Sequence, residues 1–188
     1  MKLIRIITDE VTGEGLYAVR FLEETVDEFE RLFDLWIHDS SYRYHFFQDH
    51  IQDLKSGYYR GISIEQAVRA TRNEAKSLRK TLLALALEGF SDQNIALQTI
   101  SQPLSNNEYH LFSLQKSKAR CKREKRWLRI YAIRLDANCF VITGGPIKLT
   151  LSMDRPHLHE EIQKLERTRR FRIRHGLREK TDFEYLEI

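Results

Sequence analysis

A chain of 188 residues with 41% hydrophobic and 31% charged residues has the composition of a folded globular protein rather than of a disordered segment. Its net charge of +4 hides an asymmetry, because residues 116–180 carry 19 lysines and arginines against 7 acids, whereas residues 1–115 carry 12 against 17. The longest apolar run, residues 82–87, is far below the ~20 residues that span a bilayer, and the first ten residues lack the apolar core of a signal peptide. The expected location is therefore the cytoplasm.

The chain begins with two strand-like segments and then turns helical. Residues 2–7 alternate and are rich in β-branched side chains, and residues 16–21 have the same character, so both predict strands. In residues 23–38 the apolar side chains recur at steps of three and four, and acids crowd the start. This pattern predicts an amphipathic helix whose first turn is acidic, as the helix dipole favours.

Two further helices are predicted before residue 90. Residues 40–57 repeat the helical period and end on Gly57, a candidate C-cap. Ser63 and Gln66 form a capping-box pattern at the start of a helix of about 25 residues, which Gly89 can end. Five aromatic residues near the first of these helices are expected to pack in the core: Trp36, Tyr42, Tyr44, Phe46 and Phe47.

The second half of the chain surrounds a basic segment with strand-like patterns. Residues 109–114 predict a strand, and the lysine- and arginine-rich residues 115–126 have no apolar period. Residues 127–145 contain two alternating runs on either side of a tight turn, which predicts an antiparallel hairpin. Residues 157–176 predict a helix, and residues 183–188 fit either a last strand or a docked tail.

The basic block has the electrostatic footprint expected of a polyanion-binding surface. Neutralising phosphates releases condensed counterions, and this release drives association of basic surfaces with nucleic acids. A solvated helix face joined to a loop is the alternative explanation, since charge runs usually face water.

The order of these elements resembles the RelE/HigB superfamily of bacterial toxins. The strand YHLFSL, the arginine-bearing strand WLRIY, the apolar strand CFVITGG, and IKLT followed by Pro156 stand where that family has similar elements. LYAVRFLEETVDEFERL is similar to its opening strand and first helix. The resemblance implies an α+β fold with a small antiparallel β-sheet flanked by helices and an enlarged N-terminal helical region. It implies one domain over 1–188, with a helical insertion at 38–90 and a basic sheet-plus-helix module at 105–180.

The resemblance also implies site residues. Arg129 matches an arginine that in the family contacts RNA near the cleaved phosphate, and Lys148 matches the basic residue after the last strand. The family's paired lysines fall on His110 and Phe112, so this element is half replaced and half lost. The implied chemistry is a metal-independent cleavage of messenger RNA, with Arg129 and Lys148 stabilising phosphoryl charge and His110 as an acid or base.

The remaining basic residues of the module are expected to bind the RNA backbone. They are Lys116, Lys118, Arg120, Lys122, Arg123, Lys125, Arg126, Arg155 and His157. No metal site is expected, because His157 and His159 are two positions apart at a helix start and point to different faces. No cofactor and no membrane contact are expected either.

Three functions fit these patterns. The first is a toxin-like, ribosome-associated endoribonuclease, and the second is a non-catalytic RNA- or ribosome-binding module on the same fold. The third is a protein-interaction domain whose basic face meets an acidic partner, such as an antitoxin. RNA or the ribosome is the expected main partner.

Overall fold

The structure is a computed structural model that describes residues 1–56, 59–92, 97–103, 126–174 and 182–186. Within these ranges the strands are β1 (Lys2–Thr8), β2 (Gly15–Arg20), β3 (Ser101–Pro103), β4 (Ile130–Asp136), β5 (Cys139–Gly144) and β6 (Asp182–Leu186). The helices are α1 (Glu28–Phe33), α2 (Ser40–Asp49), α3 (Ile51–Lys55), α4 (Ile64–Glu88) and α5 (Pro156–Arg174). None of the described helices is long and apolar enough to cross a bilayer.

The strands form one sheet in the order β1-β2-β5-β4-β6-β3. The predicted hairpin is confirmed, since β4 and β5 pair antiparallel around the turn. The sheet was expected to be antiparallel throughout, and this is wrong, because β2 and β5 run parallel. A parallel pair needs a long crossover connection, and here the chain passes through α1 to α4 before it returns as β5. The α+β class is confirmed, with a mixed sheet.

The central strand β5 is buried on both of its faces. Phe140 and Ile142 pack into the cluster that contains residues of α1, α2 and α4. Val141, between them, packs with Leu158 and Ile162 of α5. Because successive side chains of a strand point to opposite faces, one strand serves both clusters. The helices therefore cover the two faces of the sheet.

Several helix ends follow from local capping. The helix predicted over 23–38 begins only at Glu28, because the side chain of Asp27 accepts a hydrogen bond from Glu30 N at 3.0 Å and caps the first turn. It continues as a π-helical turn over Asp34–His38. The helix predicted over 40–57 is divided into α2 and α3 at His50, the C-cap of α2.

The long helix α4 agrees closely with the sequence pattern. Both hydrogen bonds of the Ser63–Gln66 capping box are present, and Gly89 is the C-cap. Residues 183–188 were expected to be a strand or a docked tail, and the strand is confirmed by β6. The strand predicted at 109–114 lies outside the described residues. So does Gly57.

The predicted aromatic core is largely confirmed. Trp36, Phe46 and Phe47 are buried, and Tyr42 packs partly buried against the same cluster. Tyr44 is the exception, with an exposed ring.

A half-buried charge network ties α1 and α5 to the end of β5. Glu161 Oε2 accepts the backbone N–H of Gly145 at 2.7 Å, and its Oε1 accepts Lys164 Nζ at 2.9 Å. Arg31 contacts both Glu28 and Glu161. Burial raises the pKa of the Glu161 carboxyl, and the neighbouring cations oppose that shift. The backbone at the end of β5 is thus held by a side chain of α5.

Candidate nucleic-acid interface

The hairpin continues beyond its strands as two facing segments, and these bring Arg129 and Lys148 together. Arg129 N donates to Pro146 O at 3.1 Å, and Lys148 N donates to Trp127 O at 2.7 Å. Their side chains are close enough for the positive charge of Arg129 to lower the pKa of Lys148. Two residues implied by the resemblance therefore lie on adjacent backbone segments.

Lys148 does not extend into solvent. The residue is 4% exposed, and Nζ donates to the carbonyl oxygens of Thr150 at 2.6 Å and Leu151 at 2.7 Å. Burial, followed by the charge of Arg129, lowers the pKa of this lysine to about 8. In this conformation the ammonium closes the loop after residue 148. Its catalytic role stays a prediction.

Arg129 and Arg126 lie at the open end of the hairpin, and both are half-buried. Arg129 Nη1 donates to Leu128 O at 2.8 Å. The carbonyl of Arg126 accepts the hydroxyl of Tyr59 at 2.7 Å. The Tyr59 contact holds the backbone of Arg126 against a distant part of the chain, whereas the Arg129 contact is local.

Glu74 of α4 anchors this segment, and the sequence analysis missed it. Its Oε1 accepts the backbone N–H of Trp127 at 3.1 Å and of Leu128 at 3.0 Å. Burial raises the pKa of the Glu74 carboxyl to about 7, although these hydrogen bonds and the charges of Arg129 and Arg126 act to lower it. Two positive side chains therefore surround one carboxyl that binds a proton near neutrality.

A signal for Glu74 was present in the sequence. Thr71, Ala75 and Leu78 mark the buried face of α4. Glu74 stands three positions after Thr71 and four before Leu78, so an ionisable residue interrupts an otherwise apolar face. A charge at such a position is expected to have a specific buried partner.

Arg155 lies directly before α5 and His157 lies in its first turn, and Arg155 is bound by α3. Arg155 binds Asp53 through two parallel contacts, Nε to Oδ2 at 2.8 Å and Nη2 to Oδ1 at 2.6 Å. This pairing lowers the pKa of Asp53. His157 Nε2 is 3.1 Å from Ile147 O, next to Lys148 in the chain. The contacts connect the start of α5 to the extended hairpin.

Five of the predicted site residues fall within the described residues, and they lie on two neighbouring segments, 126–129 and 146–157. The other predicted residues lie outside the described part of the chain: His110, Lys116, Lys118, Arg120, Lys122, Arg123 and Lys125. Arg126 comes directly after them in the chain, and Glu74 and Tyr59 fix the backbone there. Among the described residues, no group of three His, Cys, Asp or Glu side chains is arranged to hold a metal ion.

Comparison of the chain with protein-family models, with curated proteins and with solved structures gave no match.

Proposed function

We propose that this chain is a cytoplasmic RNA- or ribosome-binding protein of the RelE/HigB toxin type. The observation that carries the proposal is the pairing of segment 126–129 with segment 146–148, which puts Arg126, Arg129 and Lys148 at one end of the hairpin. The strongly basic residues 116–125 precede that end directly in sequence. A polyanion that contacted both would neutralise many phosphates, which is the main source of affinity for such surfaces.

Binding without cleavage is the form of the proposal that the contacts favour. Lys148 is enclosed by two carbonyl groups, so it would have to leave them to stabilise phosphoryl charge. The lysine that the family carries at the position of Phe112 is also absent. The adjacency of Arg129 and Lys148 supports endoribonuclease activity as the second candidate, because that chemistry needs convergent positive charge.

The first test measures RNA binding by the full chain. Fluorescence anisotropy with a labelled single-stranded RNA should show affinity that falls steeply between about 50 and 200 mM salt. The double variant Arg126→Ala/Arg129→Ala should bind about 10-fold more weakly and show a salt slope smaller by about 1–2. The variant Lys76→Ala/Lys80→Ala, with two exposed cations of α4 removed, is the matched control and should retain wild-type binding.

Each result decides between the three functions. Absence of binding by the wild type at about 50 mM salt would contradict the proposal and favour an acidic protein partner such as an antitoxin. Binding with intact RNA after incubation with ribosomes supports the non-catalytic form. Cleavage that Arg129→Ala abolishes would establish the endoribonuclease instead.

A further inference from the structure

Two imidazoles meet at the junction between α2 and α5. His50 is the C-cap of α2 and His157 is the second residue of α5, and His50 Nε2 lies 3.1 Å from His157 Nδ1. Both rings are half-buried. Phe46 stacks on His50, with ring centroids 4.3 Å apart, and meets His157 edge to face. The pair is therefore held in place by an aromatic ring that contacts both members.

The outer nitrogen of each imidazole faces a main-chain carbonyl. His50 Nδ1 is 2.9 Å from Phe46 O, and His157 Nε2 is 3.1 Å from Ile147 O. A carbonyl oxygen only accepts, so each of these contacts needs a proton on the ring nitrogen. The contact between the two rings needs one more proton.

Counting protons gives the state that satisfies all three contacts. Two neutral imidazoles carry one N–H each, so they can make only two of the three hydrogen bonds. Two imidazolium rings carry four N–H groups, and two of these would face each other. A pair with one added proton donates to both carbonyls and shares the third proton between the rings.

We infer that His50 and His157 bind a single proton between their facing nitrogens, which links α2, α5 and the segment after β5 in a proton-dependent way. This site goes beyond the proposed RNA binding and does not depend on it. The link joins residues 107 positions apart in the chain, so the proton stabilises tertiary rather than local structure.

The surrounding charges fit a pair with a charge of +1. Asp53 of α3 and Glu160 of α5 favour the charged state of His157. Arg155 binds Asp53 and offsets part of that effect. The pKa of His157 is lowered, first by burial and then by the charge of His50. This direction is expected for a second proton, because two coupled sites titrate as a pair in two separate steps.

The added hydrogen bond determines how the stability of the folded chain depends on pH. The folded chain holds the first proton more tightly than separate imidazoles in the unfolded chain do, because only the folded pair shares it. The contribution to stability is therefore largest near the ordinary imidazole pKa of about 6.5 and is lost as pH rises through the first titration step of the pair. It also decreases at lower pH, because the unfolded chain takes up a second proton that the two facing ring nitrogens resist.

The decisive measurement is nuclear magnetic resonance of the full chain with ¹⁵N-labelled histidine, in the presence of a chelator. The ring nitrogens of His50 and His157 should change together in two steps, with one proton retained between them in the intermediate state. In His50→Gln, His157 should titrate in one step. His45→Gln is the matched control, since His45 lies exposed on α2 and its Nδ1 is 3.3 Å from Ser41 Oγ of the same helix.

A second measurement compares thermal stability. Between pH 6 and pH 8 the melting temperature of the wild type should fall by roughly 2–4 °C more than that of His50→Gln. This is the shift expected from the loss of one hydrogen bond in a chain of this size. Independent single-step titration of the two rings in the wild type overturns the inference, even where the variant does not fold. So does stabilisation at pH 8 by added Zn²⁺ that both His50→Gln and His157→Gln abolish, because the pair would then hold a metal instead.

Discussion

At the scale of single residues, Glu74 and Lys148 show how burial changes the role of a charged side chain. Lys148 was expected to face a phosphate, but it donates to two carbonyls within its own loop. Glu74 had no expected role, yet it accepts the N–H groups that begin the extended hairpin. In both cases the side chain forms hydrogen bonds with backbone groups that would otherwise lack partners, since buried polar groups need hydrogen-bond partners.

Glu74 predicts a specific dependence of stability on pH. Its pKa in the folded chain is about 7, against a usual value of 4.5, so the folded state binds more protons than the unfolded state between these values. Stability should therefore decrease as pH rises from 4.5 to 7, by on the order of 2–3 kcal/mol at most. Glu74→Gln should remove this decrease in urea unfolding measured across that range.

The matched control for Glu74→Gln is Glu88→Gln, which changes an exposed carboxylate on the same helix. The control should keep the wild-type pH dependence. A free energy of unfolding that falls equally in wild type and Glu74→Gln between pH 4.5 and 7 would show that Glu74 is not the group that titrates.

At the scale of elements, α4 acts as the support for the segment that leads into β4. The indole N–H of Trp127 donates to Thr71 Oγ1 at 2.9 Å, and its ring packs edge to face against Phe47 and Tyr59. Thr71 and Trp127 are fully buried. The position of segment 126–129 therefore depends on α4 and Trp127, together with Tyr59.

Thr71→Val tests this support because it keeps the shape and removes the acceptor. The buried indole N–H would then lack its partner, so the free energy of unfolding should fall by about 1–3 kcal/mol. Chemical unfolding followed by tryptophan fluorescence measures the change. Thr168→Val is the control: Thr168 is also fully buried, but its hydroxyl donates to Lys164 O and supports no indole. Equal losses in both variants would contradict the role of the Thr71–Trp127 contact.

At the scale of the whole molecule, the sheet separates two helical layers, and β5 lies between β2 and β4 in its interior. Phe140, Val141 and Ile142 are all fully buried. At the other extreme, β1 is an edge strand with exposed residues such as Leu3. The stability of backbone hydrogen bonds should therefore differ strongly across one sheet.

Hydrogen exchange measures that difference. Amides in the centre of β5 should exchange only through global unfolding, whereas β1 should open locally, at least about 100-fold faster after correction for intrinsic rates. Mass spectrometry of peptides that cover the two strands provides the comparison. Equal protection of both strands would mean that the edge opens only with the whole domain.

The sequence by itself determined the features that depend on neighbours within a few residues. The capping box at Ser63 and Gln66, the α4 period and the β4–β5 hairpin all rest on local hydrogen bonds and alternation. Helix boundaries were less accurate at Asp27, where a side-chain cap starts the helix later than predicted, and at His50, where a break divides one predicted helix into two. Part of the candidate site, the adjacency of Arg129 and Lys148, followed from a hairpin that was itself local.

Only the tertiary structure decided the parallel pairing of β2 with β5, the anchoring of Trp127 by Glu74, and the meeting of His50 with His157. The contacts of Glu74 span 53 positions and those of the histidines span 107. Such contacts form when apolar faces pack together, exclude water and bring distant segments close. The hydrophobic periodicity of a segment shows which of its faces is buried, but it does not show which other segment packs there. For this reason the basic block could be recognised in the sequence, whereas the backbone partners of Glu74 and the pairing of His50 with His157 could not.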